Sequence, residues 1–208
     1  MKSILKGLQY SFHIMVRPFD GFWDMRHEKR GNIFSAIVLV LLLSTSTIIH
    51  TQYTGFIFNT TNPKYFNFFQ TAVTVIFPFI LWCVANWSIT SLTDGEGRFV
   101  DIFMMTAYAL VPYILINFIS VLISNVITFE ERAFLNYFIY LGIIWSGFIL
   151  FVGIMTIHQF TPLKTIFTII ITVIGMVVIV FLLVLVASII DKLYNYIFGI
   201  IVEIRLRM

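Results

Sequence analysis

Asp94, Glu96 and Asp101 stand on a short glycine-bearing turn of this 208-residue chain. Three carboxylates within eight positions could chelate a cation. They lack the ligand number and spacing of a calcium loop, which needs six or more oxygens from a fixed pattern. The same residues suit a tight turn better. Gly95 can stop a helix in the left-handed conformation, and Asp101 can cap the helix that follows.

The other chemistry-bearing residues are scattered. His50 and His158 lie near the ends of apolar runs, and neither is at metal-ligand spacing with another histidine, cysteine or carboxylate. Cys83 is the one cysteine, so no disulfide or thiol pair forms within the chain. Glu130-Glu131-Arg132 faintly resembles the paired glutamates of intramembrane CAAX-type proteases. That pattern also needs histidines at catalytic depth on later spans, and only His158 follows. There is no GxSxG, HExxH, GxGxxG or P-loop. The expectation is a protein without catalysis, metal or cofactor.

The elements that position these residues are membrane helices. Apolar residues make up 60% of the chain and charged ones 11%, with a mean hydropathy of +0.97; soluble domains carry about a quarter charged residues. Uncharged runs cover Gly31–Pro63, Tyr65–Thr93, Ile102–Phe129, Ala133–Leu163 and Thr165–Ile190. A span needs about 20 mostly apolar residues, so each run holds one span. The runs are continuous rather than alternating, which selects helices over a barrel. The fold expected is all-α, a polytopic integral membrane protein with a five-helix transmembrane bundle and an amphipathic N-terminal helix. Residues 1–32 form a cytoplasmic amphipathic or interfacial segment. Residues 33–190 form the transmembrane domain, with spans at about 33–53, 68–88, 102–124, 134–157 and 167–190. Residues 191–208 form a C-terminal tail. Thr161-Pro162 supplies a cap and a first-turn proline for the last helix.

Lys2, Lys6, Arg17, Arg26, Lys29 and Arg30 crowd the N-terminal segment, so the positive-inside tendency keeps the N-terminus cytoplasmic in a multi-pass cell-membrane protein. Five spans then place the C-terminus outside, against the pull of Lys192, Arg205 and Arg207. Residues 2–16 place Ile4, Leu5, Leu8, Phe12, Met15 and Val16 on one helical face, with Lys2, Lys6, Gln9 and His13 opposite. Such a helix either lies in the headgroup region, held by apolar burial and anionic lipid, or packs under the bundle. Pro18 ends it in both cases. Phe19, Phe22 and Trp23 then stand beside a charged run, rings suited to headgroups and charges to water. Arg26, Lys29 and Arg30 could bind lipid phosphate or a partner there, or serve as the charged flank of the first span.

Polar residues inside spans are functional suspects, and they are few. Asn86, beside Trp87 near the inner end of the second span, suits an interfacial anchor. Asn117 lies deeper and suits a hydrogen bond to a neighbouring helix. Ser44, Thr45, Ser46 and Thr47 can bond back to their own helix. Pro112 removes the amide that would reach the Tyr108 carbonyl, and Pro78 does the same to Thr74. Two bent helices could frame a cavity, as in transporters, or simply pack. Gly142 and Ser146 form a small-xxx-small pair for close helix packing.

Pro18-Phe-Asp-Gly-Phe-Trp, Asn86-Trp, Asp94-Gly-Glu-Gly and Ala107-Tyr-Ala-Leu-Val-Pro112-Tyr resemble the bacterial branch of the YIP family (Ypt/Rab-interacting proteins), with Tyr108, Pro112 and Tyr113 in the best-matching block. The resemblance covers nearly the whole chain. It implies a non-enzymatic integral membrane protein of five spans, with a cytoplasmic N-terminus and a short outer C-terminus. The long cytoplasmic N-terminal region of eukaryotic members is missing, so a GTPase partner is not carried over. The expected role is a scaffold or accessory protein in the lipid bilayer, associating with other integral membrane proteins such as a transporter complex, or with itself, and not with nucleic acid. The rival is a small transporter or channel component with a cavity between the second and third spans. Pro78, Asn86, Trp87, Asp94, Glu96, Tyr108, Pro112 and Tyr113 mark the candidate partner or packing site. The tail has a helical stripe of Leu193, Ile197, Ile200, Ile201 and Ile204, but Val202–Met208 alternates like a strand; an amphipathic helix on the membrane or a partner is favoured.

Overall fold

The computed structural model describes residues 2–59 and 66–207. Pro63 and Lys64, which bound the first uncharged run, lie outside the described residues. The order is α1 (Lys2–Val16), α2 (Pro18–His27), α3 (Ile33–Tyr53), α4 (Phe68–Leu92), α5 (Phe99–Ala109), α6 (Val111–Ser124), a 3₁₀ turn (Phe129–Glu131), α7 (Arg132–His158) and α8 (Pro162–Arg207). Among the described residues there is no strand, and five helical stretches are long and apolar enough to cross a membrane, with α5 and α6 sharing one of them.

Local chemistry sets the starts. Asn32 Oδ1 accepts the Phe34 amide at 2.9 Å, and Asn67 Oδ1 accepts those of Phe69 and Gln70 at 3.0 and 3.2 Å. These are side-chain caps for amides that have no helical partner. Thr161 Oγ1 accepts the Lys164 amide at 3.4 Å beside first-turn Pro162, as the Thr-Pro pair implies. Thr45 and Thr47 donate back to Leu41 and Leu43, and Ser46 to Leu43, so these hydroxyls need no ligand. Asn117 reaches across to Ser46 Oγ at 3.5 Å, a contact between α6 and α3.

The two prolines behave differently. α4 runs unbroken through Pro78, whose ring faces outward. The third span is broken at Leu110, and buried Pro112 sits in the first turn of α6, where a missing amide costs nothing. The break frees the Tyr113 amide, which donates to Ser146 Oγ of α7 at 3.1 Å. Gly142, one turn before Ser146, has Ile116 of α6 so close that an added Cβ would stand 3.1 Å from it. The small pair thus serves packing within the chain. Ser146→Ala leaves the Tyr113 amide unpaired where no water can replace the hydroxyl, and is expected to destabilise by about 1–3 kcal/mol. Thermal unfolding in detergent should show the lower midpoint, and an unchanged midpoint would remove this role.

Contacts at the helix ends sort the bundle into two faces. On one gather α1, α2, the start of α3, the α4–α5 turn, the end of α7 and the start of α8, tied by Tyr108–Asn32, Arg26–Ile157 and Lys164–Thr93. On the other, the Gly55 amide donates to Ser124 Oγ at 2.9 Å and Asn125 Nδ2 to the Tyr53 carbonyl at 3.1 Å. The core between them joins Ile14, Phe22 and Met25 to Met105, Tyr108, Val152, Ile154 and Ile157.

One expectation is corrected. Phe22 is fully buried, whereas Phe19 and Trp23 are exposed. The cause is that residues 18–27 are a helix rather than an extended flank, so Gly21, Phe22 and Met25 share the inward face. In α1 the buried face is Gly7, Ser11 and Ile14, while Leu5, Phe12 and Val16 of the apolar stripe face outward. The N-terminal half of α1 approaches α3 closely because a glycine stands there: a Cβ on Gly7 would overlap the Ser35 hydroxyl. The C-terminal residues are helical, as favoured, and continuous with the last span. α8 continues past Asp191 to Arg207, 46 residues in all, with no proline or glycine break at the junction. Its first half leans on α4, and only 6% of its most apolar window is buried.

Candidate functional site

The α4–α5 turn is the most heavily tied loop of the first face. After α4, Asp94 takes the left-handed conformation (φ 56°), while Gly95 does not. This corrects the role given to Gly95: aspartate tolerates that region because its short side chain bonds locally. The glycines answer a different need. A Cβ at Gly95 would come within 2.7 Å of His158 Nδ1, and one at Gly97 within 2.6 Å of His158 Cε1. The turn therefore lies directly on the last residue of α7.

Four groups hold it there. The Gly97 amide donates to His158 Nδ1 at 3.2 Å. An accepting Nδ1 puts the ring proton on Nε2, and that nitrogen is buried without a hydrogen-bond partner among the described residues. Arg26 of α2 forms an ion pair with Glu96 and also donates to the Ile157 carbonyl at 2.5 Å. Lys164 of α8 donates to the Thr93 carbonyl at 2.8 Å with its ammonium 4.0 Å above the Phe160 ring. Asp101 Oδ2 accepts the Arg98 amide at 3.3 Å, closing the first turn of α5. Asp101 thus acts from the third helical position rather than as the cap itself. Glu96 and Asp101 are committed to different cations, and no group of three metal-ligating side chains gathers among the described residues. The arrangement is a polar clamp joining α2, the turn, α7 and α8.

A second polar contact joins α1, α3 and α5. Tyr108, fully buried, donates to the Asn32 carbonyl at 3.3 Å and accepts the Asn32 amide at 3.2 Å. Its ring meets Tyr10 edge-on, with centroids 6.4 Å apart. Tyr10 in turn donates to the Gly21 carbonyl at 2.6 Å. Burial first, then the Asp24 charge, pushes the Tyr10 phenol well above its ordinary pKa, so it remains a donor.

The remaining sequence candidates are dispersed. Asn86 is not an interfacial anchor: it is fully buried and donates to Thr172 Oγ1 of α8 at 3.4 Å, with Oδ1 unpartnered among the described residues. Trp87, one residue on, turns outward and meets Phe99 edge-on at 6.1 Å. Pro78 faces away from the bundle and is not brought together with Pro112. Between α4 and α5 lie the Phe79 and Phe103 rings, edge-on at 5.2 Å, with Cys83 buried beside them. Arg30 is held by Asp24 at 3.1 Å and Glu28 at 2.6 Å, and Lys29 is exposed in a left-handed turn (φ 53°).

Sequence reasoning missed His158, Lys164 and the threonines of α8 as members of this framework. Thr165, Thr168 and Thr172 are all buried, and Thr168 and Thr172 bond back to Lys164 and Thr168. Their spacing was a readable signal, since steps of three and four mark one helical face. His158 gave none, because its partner is a backbone amide sixty-one residues away.

A family model described as the Yip1 domain matches residues 12–194. No curated protein and no solved structure matches the chain.

Proposed function

The chain belongs to the Yip1-domain family of membrane proteins, and from that premise we propose that it is a non-enzymatic scaffold or accessory protein that associates with other integral membrane proteins. The observation that carries this reading is α8. One face of its first half is closed against α4 by Asn86–Thr172 and by Gly175, where a Cβ would lie 3.5 Å from Ile89. Beyond that contact, residues 181–186, with Phe181, Leu182, Leu185 and Val186, are exposed and uniformly apolar. A helix attached along one side of the bundle leaves a long surface for another transmembrane helix. The aromatic filling between α4 and α5 supports a packed scaffold over a transport cavity there. The proposed orientation puts the clamp, α1 and α2 in the cytoplasm, following the basic residues of that face.

Photocrosslinking in the native membrane tests the reading. A photoreactive residue at 181 or 185 is expected to trap one discrete integral membrane polypeptide, and the purified chain in liposomes is expected to show no flux above empty vesicles. Lipid adducts alone at both positions, or flux that responds to substitutions lining α4 and α5, would replace this reading with the transporter one.

A further inference from the structure

From the groove between α1 and the start of α3, we infer a binding site for the phosphodiester headgroup of an anionic membrane phospholipid. The groove has a volume of about 810 Å³ and is lined by Lys6, Lys29 and Arg30, with the Tyr10 ring and Phe34 among its walls. It lies apart from the polar clamp and from the exposed face of α8.

Charge comes first. Arg30 is neutralised and held in place by Asp24 and Glu28. Lys6 and Lys29 have no acidic partner among the described residues, and they approach the groove from α1 and from the turn after α2. Lys29 is kept there by a left-handed backbone that a non-glycine residue adopts only at some cost (φ 53°). Two unpaired ammonium groups across one cavity suit a single phosphate between them. The first turn of α3 adds its positive dipole end at the same place.

Position selects lipid over a soluble phosphate. The groove opens where the first span begins, at headgroup depth for a chain crossing a bilayer. From its mouth Ile33, Ile37 and Leu41 run down α3 at four-residue steps, all exposed. They form an apolar track of about 12 Å that an acyl chain can follow while its phosphate stays in the groove. The outward stripe of α1, Leu5, Phe12 and Val16, brings the other wall to the same interface. A free phosphate ester would use the lysines and leave the track idle. A lipid uses both.

The test uses the purified full-length chain in neutral detergent, titrated with phosphatidylglycerol, phosphatidylcholine or glycerol 3-phosphate and read by native mass spectrometry. Phosphatidylglycerol is expected to bind in preference to phosphatidylcholine. Lys6→Gln with Lys29→Gln is expected to weaken it roughly thirtyfold, from the usual gain per basic residue at an anionic surface. Lys192→Gln with Arg205→Gln removes the same charge far from the groove and should leave binding unchanged. Equal loss in both double variants would mean general charge attraction and overturn the site. So would phosphatidylglycerol binding that survives the Lys6/Lys29 change. Glycerol 3-phosphate binding as tightly as the lipid would assign the groove to a soluble phosphate ester and overturn the lipid reading.

Discussion

Tyr108→Ala is expected to lower the unfolding free energy in detergent by about 3–5 kcal/mol, the range for removing a large buried aromatic. Tyr108 is among the largest fully buried side chains and joins α1 and the start of α3 to its own helix. Its ring supports Tyr10 of α1, and its hydroxyl pairs with both backbone groups of Asn32. Alanine leaves a cavity and an unpaired peptide at the junction between the N-terminal helices and the first span. Tyr108→Phe separates the two effects. It keeps the ring and loses the hydrogen bonds, for an expected cost of about 1–2 kcal/mol. Limited proteolysis should show the Lys29–Gly31 segment cut faster in the alanine variant. If phenylalanine costs as much as alanine, the hydroxyl rather than the packing holds this corner.

The second large effect is expected at Gly153. A Cβ there would lie 2.6 Å from Met105 Cγ and 3.1 Å from Phe22 Cε2. Gly153→Leu forces α2 and α5 away from α7, with an expected loss of at least about 1–3 kcal/mol. Gly147 lies on the same helix with nothing within 4 Å of an added Cβ. Gly147→Leu adds the same apolar bulk to an open surface and should leave the unfolding midpoint close to that of the parent. The pair of variants distinguishes a packing requirement from a general intolerance of leucine in α7. Similar midpoints for both would show that α2 can shift without loss.

Five apolar helices and an all-α fold were legible because charge segregation and run length speak directly to a bilayer. The Thr161-Pro162 start of the last helix was legible from local chemistry, whereas the Asn32 cap of the first span was not singled out. What could not be read was pairing between distant segments. Arg26 and Glu96 stood in two separate candidate groups, and only the folded chain shows that they are partners. The inward turn of Phe22 was missed because a ten-residue helix with three charges in its sequence looks like a flank. Pro78 and Pro112 looked equivalent. Their difference lies in which side of each helix meets the bundle, and a proline by itself does not report that.

The unbroken α8 has a mechanical consequence. Its uncharged stretch from Thr165 to Ile190 is about 39 Å long at the helical rise, against a hydrocarbon thickness of about 30 Å. Hydrophobic mismatch of that size is relieved by a tilt of about 40° or by local thickening of the bilayer. Only the first half of α8 is braced by α4, so the second half is the part free to lean. Because no proline or glycine interrupts the helix at Asp191, a bend beyond the braced half is expected to carry Asp191–Arg207 sideways along the membrane surface at that end. A change in bilayer thickness is then expected to appear as lateral displacement of a charged arm.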